Sequence, residues 1–403
     1  MGPTMGVGLE STLDVWVTFP SLGDFARFAR DYRGGLAKYV KEGYETVKAG
    51  RGNEVSIDGQ VKDAQELVRR ARELGADIKC RLGGNGAQEV AALKALGSDV
   101  IVMGGIFPNQ MIKLPLKTRR FFEGADLSFA HTFKKYNPTS FILQAQGANR
   151  YILCEGQGRR IEQLRPYLRK LPSLLKQIID KYGRLNMVNL VGWHVIFANG
   201  ISNRDFRLVE GVIKRIRGVT DSPLFTDTGG LAAFDEEERR LLCRVYSLFD
   251  ILSVNEDEVL QISRAIKAGA RDEFRAMHNI LKSLKMPSTV WLHSLDYQAS
   301  LSTEYGQKLL ERAQVAAAAA GVYRVEKGVY PTLGRLTKRM KIKNFSEKGL
   351  KMTRHATKKY GGKIGAAELV VTPCCGARNF TSTVGAGDAA AAAYTYAIAG
   401  GEL

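Results

Sequence analysis

The stretch Thr381-Ser382-Thr383-Val384-Gly385-Ala386-Gly387-Asp388, followed by alanines at 389–393, decides the reading of this chain. A loop of small residues opens directly into an alanine-rich helix. Its two glycines permit a tight turn in which successive N–H groups point into one concavity. The helix behind them adds the positive end of its macrodipole at the same place. Such a concavity suits an anion, above all a phosphoryl group in transfer. Asp388 stands at its mouth, where phosphate repels a carboxylate unless the carboxylate has a task. The obvious task is that of a general base, taking the proton from an attacking hydroxyl. The same string also reads as a helix N-terminus with an acidic first turn. The local string does not separate the two readings.

Upstream of this loop the chain alternates strand and helix patterns. Residues 12–20 predict a first strand, rich in β-branched and aromatic residues and closed by Pro20. Ser21-Leu22-Gly23-Asp24 then leads into a helix carrying Phe25, Phe28 and Tyr32. Asp24 is either the cap of that helix or an acid beyond the end of a strand, where open α/β sheets bind ligands. Residues 61–74 predict an amphipathic helix and 77–82 a short strand. Gly83-Gly84-Asn85-Gly86-Ala87 opens a helix over 88–96. Adjacent glycines let the backbone approach a ligand, and Asn85 can hydrogen-bond a hydroxyl. A short buried strand follows at 99–105. Residues 139–156 read as two adjacent strands around Gly147-Ala148-Asn149-Arg150, a lid over an active site. Lids exclude water, which competes with an acceptor hydroxyl for a phosphoryl group.

The second half continues the alternation. Residues 160–181 predict a basic helical stretch broken near Pro166 and Pro172. Strands are expected at 186–191, 195–198, 222–227 and 249–254, with helices at 203–216 and 236–247. Asn255-Glu256-Asp257-Glu258 places acidic groups just past a buried strand. They suit a nucleotide–magnesium complex, since magnesium keeps much of its water and needs only a carboxylate or two. They also suit an ordinary acidic first turn. A strand at 287–293, a polar loop with Asp296 and Tyr297, and a long helix ending at 316–320 follow. Residues 321–366 are the least readable, and their lysines and arginines fit a solvated surface or a counter-charge for nucleotide phosphates. A strand at 368–372 delivers the chain to the glycine loop. His131, His194 and His293 lack metal spacing and read as packing or polar loop residues.

Composition bounds the class. With 403 residues, 45% hydrophobic and 25% charged, the chain has the make-up of a globular protein of two domains, or of one large domain with a smaller attachment. No apolar run spans a bilayer and no secretory signal is visible, so no membrane partner and a cytoplasmic location are the expectation. Five cysteines, two of them adjacent at Cys374-Cys375, match no zinc pattern and read as reduced. The net charge of +18 admits general solubility, nucleic-acid binding, or a field that draws phosphorylated ligands. The sequence carries no signal for an oligomeric state.

Thr383-Val384-Gly385-Ala386-Gly387-Asp388 resembles the signature of the ribokinase superfamily of sugar kinases, in which the Asp is the base and the preceding amides form the anion hole. Gly83-Gly84-Asn85 is similar to a Gly-Gly-Asn motif that contacts the sugar there, and Asn255-x-x-Glu258 to its magnesium-associated Asn-x-x-Glu. The strand, His293 loop and alanine-rich helix of 287–320 resemble the ADP-dependent glucokinases and phosphofructokinases, the archaeal-type branch. So do Asn149-Arg150-Tyr151-Ile152 in the lid and Val371-Thr372-Pro373 before the glycine loop. The resemblance spans roughly residues 14–400 and is distant outside the motifs. Phe225-Thr226-Asp227 stands where that branch carries His-x-Glu, and Gly-Ala-Gly-Asp replaces Gly-Leu-Gly-Asp.

The resemblance implies an α/β chain over 1–403, a ribokinase-like three-layer α/β/α domain with a smaller β-containing lid domain. The lid would be formed by insertions roughly within 25–85 and 125–162, the remainder being the large nucleotide-binding domain. It implies transfer of a terminal phosphoryl group from ADP to a sugar or sugar-phosphate hydroxyl. Asp388 would act as base with Gly385, Ala386 and Gly387 as the anion hole. Asp24, Gly83, Gly84, Asn85, Asn149 and Arg150 would hold the acceptor. Asn255, Val371, Thr383 and Val384 would hold the nucleotide, and Glu258, Asp227 and Glu256 magnesium. An ATP-dependent sugar or nucleoside kinase is the alternative within the class. A nucleic-acid-binding protein on the same scaffold is the alternative outside it, disfavoured because the acidic groups repel a polyanion. The basic excess favours a phosphorylated acceptor slightly.

Overall fold

The computed structural model describes residues 2–9, 11–57, 59–106, 122–132, 139–155, 160–197, 200–229, 231, 234–284, 287–378, 381 and 384–403. Among them, strands form a nine-stranded sheet, a five-stranded sheet and a two-stranded piece. The strands of the first half are β1 (Thr4–Leu9), β2 (Thr12–Phe19), β3 (Asn53–Ser56), β4 (Asp77–Gly83), β5 (Asp99–Val102), β6 (Gly105–Ile106), β7 (His131–Thr132), β8 (Thr139–Ala145) and β9 (Arg150–Glu155). Those of the second half are β10 (Met187–Val191), β11 (Leu224–Asp227), β12 (Ile251–Val254), β13 (Thr289–His293), β14 (Tyr297–Ser302), β15 (Lys363–Ile364) and β16 (Ala367–Pro373).

The large sheet runs β15-β16-β14-β13-β12-β11-β10-β1-β5. Six strands, from β13 to β5, are parallel, and β14, β16 and β15 extend the sheet antiparallel. Helices cover both faces, as a parallel sheet requires. One face packs the helices Arg160–Tyr182, Asn203–Arg217, Glu236–Tyr246, Glu256–Ala265 and Glu273–Leu284. The other packs Asn85–Ala95, Gln307–Lys327, Leu333–Met340 and Ala386–Ile398. The alanines of 316–320 and 389–393 face each other across this second layer, where small side chains let helices approach closely. Trp291 of β13 stacks on Tyr394 with ring centroids 4.3 Å apart. This is the three-layer arrangement the resemblance implied.

The small sheet runs β3-β9-β8-β2-β4. Strand period decides its two faces. Val15, Val17 and Phe19 point toward the helices Leu22–Asp31, Ala37–Lys48 and Val61–Glu73 and form a separate core. Thr12, Asp14 and Trp16 point the other way, toward the large sheet, where Trp16 and Ile142 pack on Val384 of the glycine loop.

Several sequence expectations need correction. Residues 12–20 form a strand, but of the small sheet. The first strand of the large sheet is Thr4–Leu9, which its glycines concealed. Those glycines answer packing: a side chain at Gly6 would meet Leu185 and Met103, and one at Gly8 would meet Leu190 and Tyr167. Pro166 and Pro172 do not break the helix Arg160–Tyr182. Its buried stripe of Ile161, Leu164, Tyr167, Leu168, Leu171, Leu175 and Ile178 contributes ~1.5–3 kcal/mol per side chain, against ~3 kcal/mol for each proline. The strand expected at 195–198 is instead the short helix Trp193–Ile196, entered through Gly192 at φ 89°. The polar loop expected to follow 287–293 contains the buried strand β14. The basic segment 335–363 forms the helices Leu333–Met340 and Glu347–Tyr360 and enters β15. Several of its cations are used in ion pairs, among them Arg339–Glu326 at 3.2 Å, Lys348–Asp296 at 2.9 Å and Lys359–Asp272 at 2.6 Å. Among the described residues, no helix is long and apolar enough to cross a membrane.

Candidate active site

A cleft of about 280 Å³ lies between the small sheet and the glycine loop. The small sheet contributes Thr12, Asp14, Glu54, Ser140, Ile142, Arg150 and Ile152. The large-sheet side contributes Gly84, Asn85, Gln88, His194, Val195, Gly229, Val384, Gly385 and Asp388.

Asp388 occupies the first turn of the helix Ala386–Ile398, whose N-cap is Gly385 at φ 76°. Only glycine adopts that turn cheaply. Burial pushes the Asp388 carboxyl up to about 7, and the charge of Asp227 adds to this, while Arg150 and Arg324 pull it back. Asp388 and the acidic end of β11 therefore belong to one electrostatic site. Across the cleft, Asp14 is 6% exposed and accepts a hydrogen bond of 2.9 Å from the Thr12 hydroxyl. Burial, reinforced by Glu54 and Asp388, pushes it also to about 7 against the opposing effects of Thr12 and Arg150. Gly83 makes room for it, since a Cβ there would lie 2.1 Å from the carboxylate oxygens.

Gly84, at φ 86°, caps the helix Asn85–Ala95, which starts three residues earlier than the sequence suggested. Asn85 and Gln88 thereby face the cleft from its first turn. One turn along, buried Glu89 accepts 2.9 Å from Asn189. Its carboxyl is raised well above the ordinary range by burial and by Asp388 and Asp227.

Beyond Asp388 lies the acidic end of the parallel strands. Asn255 caps the helix Glu256–Ala265, accepting from the amides of Asp257 and Glu258, and Glu258 bonds back to the Asn255 amide. Glu258 is 8% exposed and accepts a 2.5 Å bond from Thr228. Burial and the Asp227 charge raise its carboxyl. Asp227 ends β11, and its Oδ1 has no hydrogen-bond partner but stands 3.7 Å from Nε2 of His293. Burial pulls the His293 imidazole down, but Asp227, Glu258 and Glu256 outweigh it and raise it. Among the described residues, no group of three or more His, Cys, Asp or Glu forms a metal cage. The unpartnered Asp227 oxygen, near Glu258, has the chemistry to take magnesium through the ion's own water; Asp227 and Glu258, with Glu256 at the start of the same helix, are the residues that would hold it.

Not every expected residue reaches the cleft. Asp24 does not. It sits at the opposite end of β2 from Thr12 and Asp14, capped by Ser21 and paired with Arg27 at 2.8 Å. The expectation assumed a strand of the large sheet, whereas β2 runs the other way through the site. Asn149 shapes the β8–β9 turn, accepting 2.9 Å from the Arg150 amide and donating 3.3 Å to Gly50, while Arg150 itself lines the cleft. Val371 packs against the apolar core from β16, in register with Ala299. Thr383 lies outside the described residues. Asp14, Glu54, Gln88, His194, His293 and Arg324 were missed. The pattern of alternate polar residues, Thr12 and Asp14, inside an apolar strand was the one available signal for that wall.

A large three-layer α/β/α unit with a smaller sheet-and-helix unit facing its glycine loop is a ribokinase-like kinase fold. No protein-family model matches the chain, and no curated protein matches it by sequence. Solved structures do match over nearly the full length. The chain is similar to a phosphofructokinase from Pyrococcus horikoshii crystallised with AMP, with a TM-score of 0.70, 15% identity, and coverage of 99% of this chain and 98% of that one. It is similar to an ADP-dependent kinase in complex with fructose 6-phosphate and ADPβS, with a TM-score of 0.71, 16% identity, and coverage of 99% and 94%. A third is the last common ancestor of ADP-dependent phosphofructokinases from Methanosarcinales, at 0.70, 16%, 100% and 95%.

Proposed function

We propose that this protein is a phosphotransferase that moves the terminal phosphoryl group of ADP to a hydroxyl of a sugar or sugar phosphate. The observation that carries the reading is Asp388: a carboxyl held near neutrality at the N-terminus of a buried helix, across a cleft from Asp14 and Arg150. Similarity of fold to kinases whose complexes hold AMP, ADPβS and fructose 6-phosphate supports it.

In this reading Asp388 takes the proton of the acceptor hydroxyl as its oxygen attacks the terminal phosphorus. The bond from that phosphorus to the bridging oxygen breaks, and AMP leaves with the electron pair. The amides of Gly385, Ala386 and Gly387 and the helix dipole offset charge on the transferring group. A base whose pKa lies near the working pH is both ionised and basic enough to act. Asp14, Asn85 and Gly84 orient the acceptor, and the small sheet keeps water away from it. Asp227, Glu258 and Glu256 would hold magnesium, which when bound would supply neutralising charge to the nucleotide oxygens.

The test is a grid of assays with ADP and ATP as donors, in magnesium, against free sugars, sugar phosphates and nucleosides. Turnover with ADP on a sugar or sugar phosphate, lost in Asp388→Asn with ligand binding kept, is the expected result. Silence across the grid from folded protein overturns the proposal.

A further inference from the structure

Behind the glycine loop lies a buried cation. Arg324, near the end of the helix Gln307–Lys327, is 4% exposed. Its guanidinium lies over the Tyr330 ring, with Cζ 4.7 Å from the centroid, and one Nη donates to the Gly328 carbonyl. Its Nε has no hydrogen-bond partner. Among the described residues, no carboxylate forms an ion pair with it. A buried guanidinium with no paired carboxylate is costly, so its charge must be answered by something nearby.

Its surroundings point to the loop. A Cβ on Gly385 would lie 2.9 Å from the Tyr330 hydroxyl, 3.1 Å from Nε of Arg324 and 3.4 Å from Oε1 of Gln88. Three polar atoms thus converge on the one position that glycine leaves open. The Tyr330 hydroxyl donates to Oε1 of Gln88, which lines the cleft. Arg324, Tyr330 and Gln88 therefore fill the space between Gly385 and the helix that follows Gly83-Gly84-Asn85.

We propose that Arg324 is a positioning residue for phosphoryl transfer: fixed behind Gly385, it holds the loop in its left-handed turn and keeps a permanent positive charge behind the place where the transferred anion lies. The inference rests on the phosphotransferase reading. Arg324 acts through Gly385 and through the field at Asp388. The charged groups around Asp388 are Asp227 from β11, Glu89 from the helix Asn85–Ala95, Asp14 from β2, Arg150 from β9 and Arg324. His194 shares the cleft with it, His293 lies beside Gly387, and Tyr330 is close enough to feel its charge. Arg81, in register with Asp14 and near Arg324, is a further cation, so removing Arg324 leaves Arg150 and Arg81 to oppose those acids.

Arg324→Gln, Arg324→Lys and Tyr330→Phe in the full chain test this. Arg324→Gln lowers kcat about 10–100-fold with the acceptor KM within about twofold, and Arg324→Lys recovers part of the loss. A second readout needs no turnover: the carboxyl carbon of Asp388, in protein labelled with 13C-aspartate and assigned through Asp388→Asn, is titrated by NMR. Its midpoint moves up in Arg324→Gln and less in Arg324→Lys. A folded Arg324→Gln protein whose midpoint does not move overturns the proposal even if the protein is a kinase. A moved midpoint in a protein without turnover overturns the phosphotransferase reading and leaves the hold of Arg324 on Asp388 standing. If Arg324→Gln does not fold, Tyr330→Phe decides: a severalfold fall in kcat at unchanged acceptor KM supports the proposal, and an unchanged kcat overturns it.

Discussion

Asp14 lies so close to the backbone of Gly83 that a methyl group on the glycine would stand 2.1 Å from both carboxylate oxygens. Gly83 is not among the residues at positive φ, so its backbone would accept alanine. The whole conflict falls on Asp14. Gly83→Ala is therefore expected to displace that carboxylate, raise the acceptor KM about tenfold or more, and cost ~1–3 kcal/mol of stability. Steady-state kinetics with a melting curve checks this, and an unchanged acceptor KM removes Asp14 from the acceptor wall.

The base must be ionised to act. With Asp388 pushed up to about 7, kcat/KM should rise tenfold per pH unit below neutrality and level off above it. Asp388→Asn should lose about 10³-fold or more in kcat and show no such limb. A flat profile for the wild type through pH 7 excludes Asp388 as the base.

The same shift sets a sign for stability. An ordinary Asp titrates near ~3.9 in the unfolded chain, whereas Asp14 and Asp388 are both raised to about 7 in the fold. The folded state binds these protons more tightly, so stability falls as pH rises from about 4 to about 7. Melting in EDTA should show that decline. Asp388→Asn should flatten it and, at about pH 8, gain ~1–2 kcal/mol over wild type. A variant no more stable than wild type at that pH contradicts the burial argument.

On the acidic side, Asp227→Asn should weaken magnesium-dependent ADP binding about 10–100-fold by calorimetry while leaving binding without magnesium nearly unchanged. Equal losses with and without the ion would assign Asp227 to His293 and the protein frame instead.

Asp24→Ala should leave kcat and every KM unchanged. The residue is outside the cleft, and its contacts are the Ser21 cap and the surface pair with Arg27. The expected cost is about 0.5–1 kcal/mol in a denaturant melt. A changed acceptor KM would return it to the site.

What was legible in the sequence was what chain neighbours decide. Gly385 and Asp388 act within one turn of one helix, and Asn255 with Glu258 forms a capping box four residues long, so the string alone points to both. Gly84 and Asn85 were legible for the same reason. Asp14 was not, because its role depends on lying in register with Arg81 and beside Gly83, across a sheet pairing that a local reading does not contain. His293 reads locally as a polar loop residue because Asp227, the acid that raises it, is distant in sequence and comes near it only across the single strand β12 between them. Asp24 lies away from the cleft because β2, convincing as a strand, belongs to the small sheet, which a local reading does not reveal.

The helix Ala386–Ile398 is buried along almost its whole length, between the helices Gln307–Lys327 and Asn85–Ala95. It is synthesised after both of them, and after every strand of the large sheet. Until the residues past Asp388 emerge from the ribosome, the chain has nothing to fill the place between those two helices. The step that fills this place also brings Asp388 to the cleft, so under the proposed function a chain lacking that helix would have no turnover.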